Sequence, residues 1–352
     1  MATSALNLVL MPDTTTPGAS PAQVPASPDA LLAVVDLGSN SFRLEILRRS
    51  RGRLERVDYH KETVRQGGGL GPDGHLSPQA LERGWDCLAR FGQALQGFAP
   101  WQVRAVATQT LREARNRDDF LARGQRLLGF PIEVISGQEE ARLIYRGVTQ
   151  RLPASHERRL VLDVGGRSTE LIVGSGGQAR AMTSRQLGSV AWSMAHFGDQ
   201  RLSARQFERA EAAAQAVLGD AVADFGRPHW DAAYGCSGTV GAVADALRLD
   251  GQTAERHVVT RAGLHGLRAQ LIAAGDCDAI RLPGIKAERK AVIGGGVSVL
   301  CALFGLLDIE RLRYVPGALR HGALLDWLER PQAAGATGEA AAASPLTRVA
   351  RR

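Results

Sequence analysis

The spacing of apolar and polar residues divides this chain into two similar halves. Residues 31–36 form a short apolar run closed by glycine and serine, and 41–47 alternates apolar with polar side chains. A buried run followed by an alternating one predicts a β-hairpin. Over 77–95 the period becomes helical: Leu81, Trp85, Leu88, Phe91 and Leu95 recur on one face, Ser77 can cap and Pro78 suits the first helical position. A strand over 102–108, a helix over 118–128 ended by Gly129, a strand over 132–136 and a helix over 138–148 follow. The succession then restarts, with strands over 160–163 and 169–173 around a turn at 165–168. Further helices are predicted over 189–196, 203–225, 239–247, 261–274, 296–307 and 318–329. Strands and helices mixed in two successive runs predict two α/β domains, with a boundary near 145–156.

The restart is a repeat. VVDLGSNSFRLEIL from Val34 and VLDVGGRSTELIVG from Val161 align without gaps, so Asp36 matches Asp163, Gly38 matches Gly165, Ser41 matches Ser168, and Arg43 faces Glu170. In each copy a strand ends in Asp and turns through small residues, which let a phosphate approach backbone N–H groups while the Asp sits where a divalent cation would be needed. A third such turn, GCSGTVGAV from Gly235, puts Gly238 and Thr239 at a helix N-terminus, which favours an anion. Each turn alone is ordinary; three could meet in one cleft. Glu139 and Glu140 open the helix between the repeats. Acids in a first turn are ordinary complements of the helix dipole, the simpler reading of the residues alone. The alternative is a carboxylate that activates water beside bound phosphate.

Composition narrows the chemistry. With 352 residues and 44% hydrophobic content, two domains can each bury a core. The net charge is +7, and Lys occurs only at Lys61, Lys286 and Lys290, so 40 of the 43 basic residues are Arg. Guanidinium forks suit phosphate, although the Ala- and Gly-rich composition makes a codon bias the simpler source of most of them. Cys87, Cys236, Cys277 and Cys301 lie far apart and read as reduced thiols of a cytoplasmic protein. No Lys follows a Gly, which excludes a Walker A loop, and neither His-Glu-x-x-His nor Gly-x-Ser-x-Gly occurs. The Gly-x-Gly-x-x-Gly of Gly69, Gly71 and Gly74 follows no apolar strand, so it is no dinucleotide fingerprint. The eight His residues are scattered without metal-ligand spacing. Residues 1–29 and 331–352 have the composition of disordered segments, with no targeting signal in the first. The longest apolar run, 297–307, falls short of the roughly 18 residues a membrane span needs.

Taken in order, DLGSNSFRL from Asp36, ATQTLREARN from Ala107, VISGQEEARLIYRGV from Val134, DVGGRSTEL from Asp163, GCSGT from Gly235, PGIKAERKAVIGGG from Pro283 and GALRHGAL from Gly317 resemble the exopolyphosphatase and guanosine pentaphosphate phosphohydrolase family. The resemblance spans 31–329. It implies two duplicated actin-like α/β domains of the sugar kinase, Hsp70 and actin superfamily, with a ribonuclease H-like core, flanking a cleft. Domain I would cover 30–147 and domain II 148–316, with 317–330 a helix returning to domain I. It also implies the short form, without the helical domain that longer members carry. The implied activity is phosphoanhydride hydrolysis with Mg²⁺, or Mn²⁺, on inorganic polyphosphate. Guanosine pentaphosphate is the alternative substrate, and a non-catalytic sensor of guanosine tetraphosphate or pentaphosphate a further one. Neither nucleic acid nor membrane is an expected partner, and a homodimer is.

Carried over by position, Glu140 matches the catalytic base, with Glu139 its neighbour. Asp163 and Glu170, with Asp36 as the first-repeat counterpart, match acidic positions around a metal and the attacking water. Ser39, Asn40, Ser41 and Arg43 match the first phosphate loop, Gly165, Gly166 and Ser168 the second, and Arg112 a basic residue facing the anionic chain. The second loop departs from the family pattern at Arg167, where a third Gly is usual. If that position needs a positive φ, Arg would be strained by on the order of 1 kcal/mol or more; its side chain could instead clamp a phosphate or block one.

Overall fold

The computed structural model describes residues 30–50, 53–251, 255 and 257–330; the segments 1–29 and 331–352, expected to be disordered, lie outside them. Strand β1 (Leu31–Leu37) pairs antiparallel with β2 (Phe42–Ser50), and β2 with β3 (Arg53–Glu62). On its other side β1 runs parallel to β4 (Val103–Ala107), which pairs with β5 (Ile132–Val134). The sheet order is therefore β3-β2-β1-β4-β5.

The second sheet repeats this plan. Strands β6 (Arg158–Val164), β7 (Thr169–Ser175) and β8 (Gln178–Arg185) form the antiparallel half, and β9 (Ala232–Cys236) lies parallel to β6. Strand β10 (Val258–Thr260) caps the edge beyond β11 (Arg311–Tyr314), giving the order β10-β11-β9-β6-β7-β8. Reading outward from β8, its first five strands match the first sheet one for one. Even the register repeats: Asp36 pairs with Arg43 and Asp163 with Glu170. The duplicated actin-like α/β architecture is thus present in both sequence and topology.

Two cores lie on the outer faces. One packs Phe42, Phe91 and Phe120 beneath the first sheet, and the other packs Phe197, Phe207 and Phe304 beneath the second. Between the sheets runs the helix Gly137–Thr149, which presents Leu143 to β1 and β4 and Ile144 and Tyr145 to β6 and β7. The helix Ala318–Glu329 packs against it so closely that a Cβ on Gly147 would overlap the Ala318 carbonyl, and one on Gly322 the Leu143 carbonyl. That helix also docks on the first sheet, where buried Arg104 donates to Asp326 Oδ2 at 2.9 Å and to the Ala323 carbonyl at 2.8 Å. Both sheets belong to one compact unit, Ser27–Glu329.

Three expectations change. The helix predicted over 203–225 breaks at Gly219 into Ala204–Leu218, a 3₁₀ turn and Val222–Phe225. The helix predicted to begin at 296 begins at Lys290, and Ala287–Leu306 reaches the length and apolarity of a membrane span, although 67% of that window is buried inside the protein. It is the central helix of the second core. Strands β3, β8, β10 and β11 were absent from the periodicity.

Candidate active site

The two strand-turn-strand units bring their turns face to face. A Cβ on Gly38 would sit 3.1 Å from the Ser41 carbonyl oxygen and one on Gly165 2.9 Å from that of Ser168, so both turns close around a glycine. The turns also touch each other: a Cβ on Gly166 would lie 2.8 Å from Ser39 Cβ. Ser41 Oγ is buried and has no hydrogen-bond partner, a donor that costs free energy until something polar meets it. The third turn joins them at the start of the helix Ser237–Leu249. There Ser237 holds a φ of 94°, a conformation that non-glycine residues keep only under constraint, and its Oγ accepts from the backbone N–H of Thr239 and Val240. Against Gly238 lies the Arg289 guanidinium, filling the space a side chain would need.

These turns enclose a cleft of about 380 Å³ whose acids include Asp36, Glu140 and Asp163. Glu140 stands in the first turn of Gly137–Thr149, a helix capped by Ser136 Oγ, which accepts from Glu139 N at 3.1 Å. Arg112 Nη1 donates to Glu140 Oε2 at 2.8 Å and to the Ile135 carbonyl at 2.9 Å. Gln109 Oε1 fixes the same guanidinium, accepting from Nε at 2.8 Å. Burial pushes the Glu140 carboxyl up to about 7; Arg112 opposes this, and the charges of Asp163 and Asp36 reinforce it. Burial likewise raises Asp163 to about 6, against a hydrogen bond from Cys236 Sγ at 3.2 Å and with the charge of Asp36 adding to the rise. Asp36 Oδ2 lies 3.2 Å from Arg43 Nη1 and 3.5 Å from Arg320 Nη1.

Of the residues predicted from sequence, Asp36, Ser39, Asn40, Ser41, Arg43, Glu140, Asp163, Gly165, Gly166, Ser168, Gly238 and Thr239 line the cleft. Four stand elsewhere. Glu139 turns away, accepting from Arg142 Nε at 2.7 Å within the ion-pair group of Arg104 and Asp326, because adjacent residues on a helix point about 100° apart. Arg112 sits behind Glu140 and positions it, rather than facing the cleft. Glu170 is fully buried beside Asp163, accepting from Ser184 Oγ at 2.7 Å; burial and the charges of Glu140 and Asp163 hold it well above the usual carboxylate range. Arg167 is outside the positive-φ residues, so the expected strain is absent. Its guanidinium crosses to the first half, donating to Glu113 Oε2 at 2.7 and 3.0 Å and to the Gly67 carbonyl at 2.9 Å.

Five basic cleft residues escaped the sequence reading: Arg56, Lys61, Lys286, Arg289 and Arg320. Burial and the neighbouring positive charges of Arg289 and Arg43 lower the Lys61 pKa, and burial and Arg43 lower that of Arg289. Glu288, whose Oε1 lies 3.8 Å from Lys61 Nζ, offsets this crowding only in part. The scarcity of lysine was the missed signal, since two of the chain's three lysines meet in this cleft.

Asp36 and Asp163 are hard oxygen donors of the kind magnesium takes, and burial, with the charge of Asp36 adding to it, disfavours the ionised Asp163 carboxylate, a cost that a bound cation would offset. Among the described residues no three His, Cys, Asp or Glu side chains converge to enclose an ion. The donor set therefore fits a cation held by one or two carboxylates and completed by water and phosphate oxygens, the usual pattern for magnesium.

A family model described as the Ppx/GppA phosphatase family matches residues 46–331. Among solved structures the chain is similar to an exopolyphosphatase-like protein, with 24% identity over 86% of this chain and 98% of that one and a TM-score of 0.76. It is also similar to the Aquifex aeolicus PPX-GPPA enzyme (24% identity, 85% and 100% covered, TM-score 0.69) and to an exopolyphosphatase from Cytophaga hutchinsonii (22% identity, 85% and 98% covered, TM-score 0.75). At these identities the structural likeness speaks for the fold. The family match, which takes in the helix Gly137–Thr149, the second Asp-ended turn and the helix Ala318–Glu329, goes further: this chain belongs to the Ppx/GppA phosphatase family.

Proposed function

We propose that this phosphatase is an exopolyphosphatase, releasing terminal orthophosphate from inorganic polyphosphate with Glu140 as general base. The observation that carries the reading is the position of Glu140: a buried carboxylate, oriented by Arg112, on the wall of a cleft whose other walls are the three small-residue turns. In this scheme the backbone N–H groups of the turns, the Ser41 hydroxyl and Arg43 bind the terminal phosphoryl oxygens. Glu140 takes a proton from a water molecule as that water attacks phosphorus, and the bridging oxygen leaves with the shortened chain. A magnesium ion held by Asp36 or Asp163 would neutralise charge developing on the phosphoryl group. The preference for a long polyanion rests on Arg43, Arg56, Lys61, Lys286, Arg289 and Arg320, six basic side chains along one cleft.

Guanosine pentaphosphate is the second reading, favoured by Tyr59 and Tyr314 on the cleft wall, whose rings could receive a base. Phosphate release is to be measured side by side on long polyphosphate, tripolyphosphate and guanosine pentaphosphate, each with magnesium. Turnover of long polyphosphate that is abolished in Glu140→Gln, with binding retained, is the expected result. Turnover confined to guanosine pentaphosphate would replace the first reading by the second, and full activity in Glu140→Gln would remove the base assignment.

A further inference from the structure

A second basin of about 470 Å³ opens beside the cleft and shares Arg56, Pro316, Gly317 and Arg320 with it. Arg151 and His321 complete its charged lining together with one acid, Glu45. That acid is already engaged, accepting from Arg320 Nε at 2.8 Å. Among the described residues, neither Arg56 nor Arg151 has a carboxylate within 4 Å. Arg56 lies instead over the Tyr59 ring, 5.4 Å from its centroid, and the Arg320 guanidinium stands 5.5 Å from the same centroid. Arg151 Nη1 approaches His321 Nδ1 at 3.3 Å, a contact that only an unprotonated ring nitrogen can accept. Three guanidinium groups and an imidazole thus face one hollow with a single, occupied counter-charge.

We propose that this basin is a second anion-binding site, taking a phosphate-type oxyanion between Arg56, Arg151 and His321, with Arg320 as the wall it shares with the catalytic cleft. Guanidinium forks match phosphate oxygens two at a time, and an anion would supply the counter-charge the protein does not. The contact with the cleft is direct: Arg320 reaches Asp36 with one nitrogen and Glu45 with another. The same chemistry could come from free orthophosphate or from a polyphosphate chain extending out of the cleft; only the latter source rests on the proposed exopolyphosphatase reading.

His321 reports occupancy. Burial and the charges of Arg151, Arg320 and Arg56, opposed only by Glu45, hold its pKa below the ordinary histidine value. An anion on these arginines should raise it by about one pH unit. The experiment follows the His321 ring signals of the full chain by NMR, assigned with His321→Gln, across pH without anion, with orthophosphate, and with long polyphosphate in Glu140→Gln. The expected result is a raised midpoint, with anion affinity about tenfold weaker in Arg151→Gln. Arg56→Gln, a second exposed position, should weaken binding in the same direction. A response to orthophosphate identifies the free ion as ligand; a response to polyphosphate alone identifies a chain arriving from the cleft. An unmoved midpoint with both anions, or unchanged affinity in both variants, overturns the proposal. A shifted His321 in a protein that hydrolyses no polyphosphate would count against the proposed activity alone and leave the anion site standing.

Discussion

Glu140 and Arg112 carry most of the chemistry at the scale of single residues. A carboxylate buried to 7% exposure ionises near neutral pH only because a guanidinium sits 2.8 Å away. Removing that cation leaves burial and the neighbouring acids unopposed, so Arg112→Gln should raise the Glu140 pKa further. The prediction is a loss in kcat at pH 7 of about a hundredfold, with the acid limb of the rate profile displaced to higher pH. An unshifted limb would mean that Arg112 does not act through Glu140. The same burial makes a stability prediction whose sign is unusual for carboxylates. Glu140 is raised from 4.5 to about 7 and Asp163 from 3.8 to about 6, so the folded state holds their protons more tightly than the unfolded one. Their stabilisation is complete below the unfolded values and is lost as pH rises through the folded ones. Glu140→Gln should therefore narrow the difference in Tm between pH 5 and pH 8 in metal-free buffer; an equal or wider difference would contradict the burial argument.

At the scale of elements, the hairpins β1–β2 and β6–β7 were legible because each joins a buried apolar run to a strand with a recognisable return. Strand β3 was not, because most of RLERVDYHKE is exposed at the sheet edge and its place is set by backbone pairing to β2, with no apolar face. Strand β8 (QARAMTSR) is half-buried but offers only Ala179, Ala181 and Met182 as apolar residues, too few to mark a strand, and β10 and β11 are three and four residues long, too short for a period. Helix periodicity did reveal Gly137–Thr149, yet it could not say that neighbouring residues such as Leu143 and Ile144 would serve different sheets. Close packing of Gly147 and Gly322 against carbonyls of the partner helix makes that pair the tightest test of the arrangement. Gly147→Ala should destabilise by about 1–3 kcal/mol through overpacking, despite alanine's better helix propensity. Thermal unfolding checks the sign: a raised Tm would show that the helices separate at no cost.

For the whole molecule, the repeat and the Asp-ended turns were readable, while the partners of Arg167, Glu139 and Arg112 depended on contacts between distant segments. Arg167 has the largest consequence. It adopts no strained φ and ties the second turn to Glu113 and Gly67 of the first half. Since the Asp-ended turns of the two halves already touch at Gly166 and Ser39, this ion pair helps fix the distance between them. Preorganised loops bind phosphoryl oxygens without first closing, so the bridge should act mainly on substrate binding. Arg167→Gly is expected to raise KM about tenfold while changing kcat less, a loss of the size of one charge-assisted contact. Glu113→Gln should do nearly the same, since it removes the other partner. If the two act as one clamp, the double variant will lose little more than either single one. Strictly additive losses would instead mean that Arg167 meets the substrate itself, and Glu113 would then have a separate task.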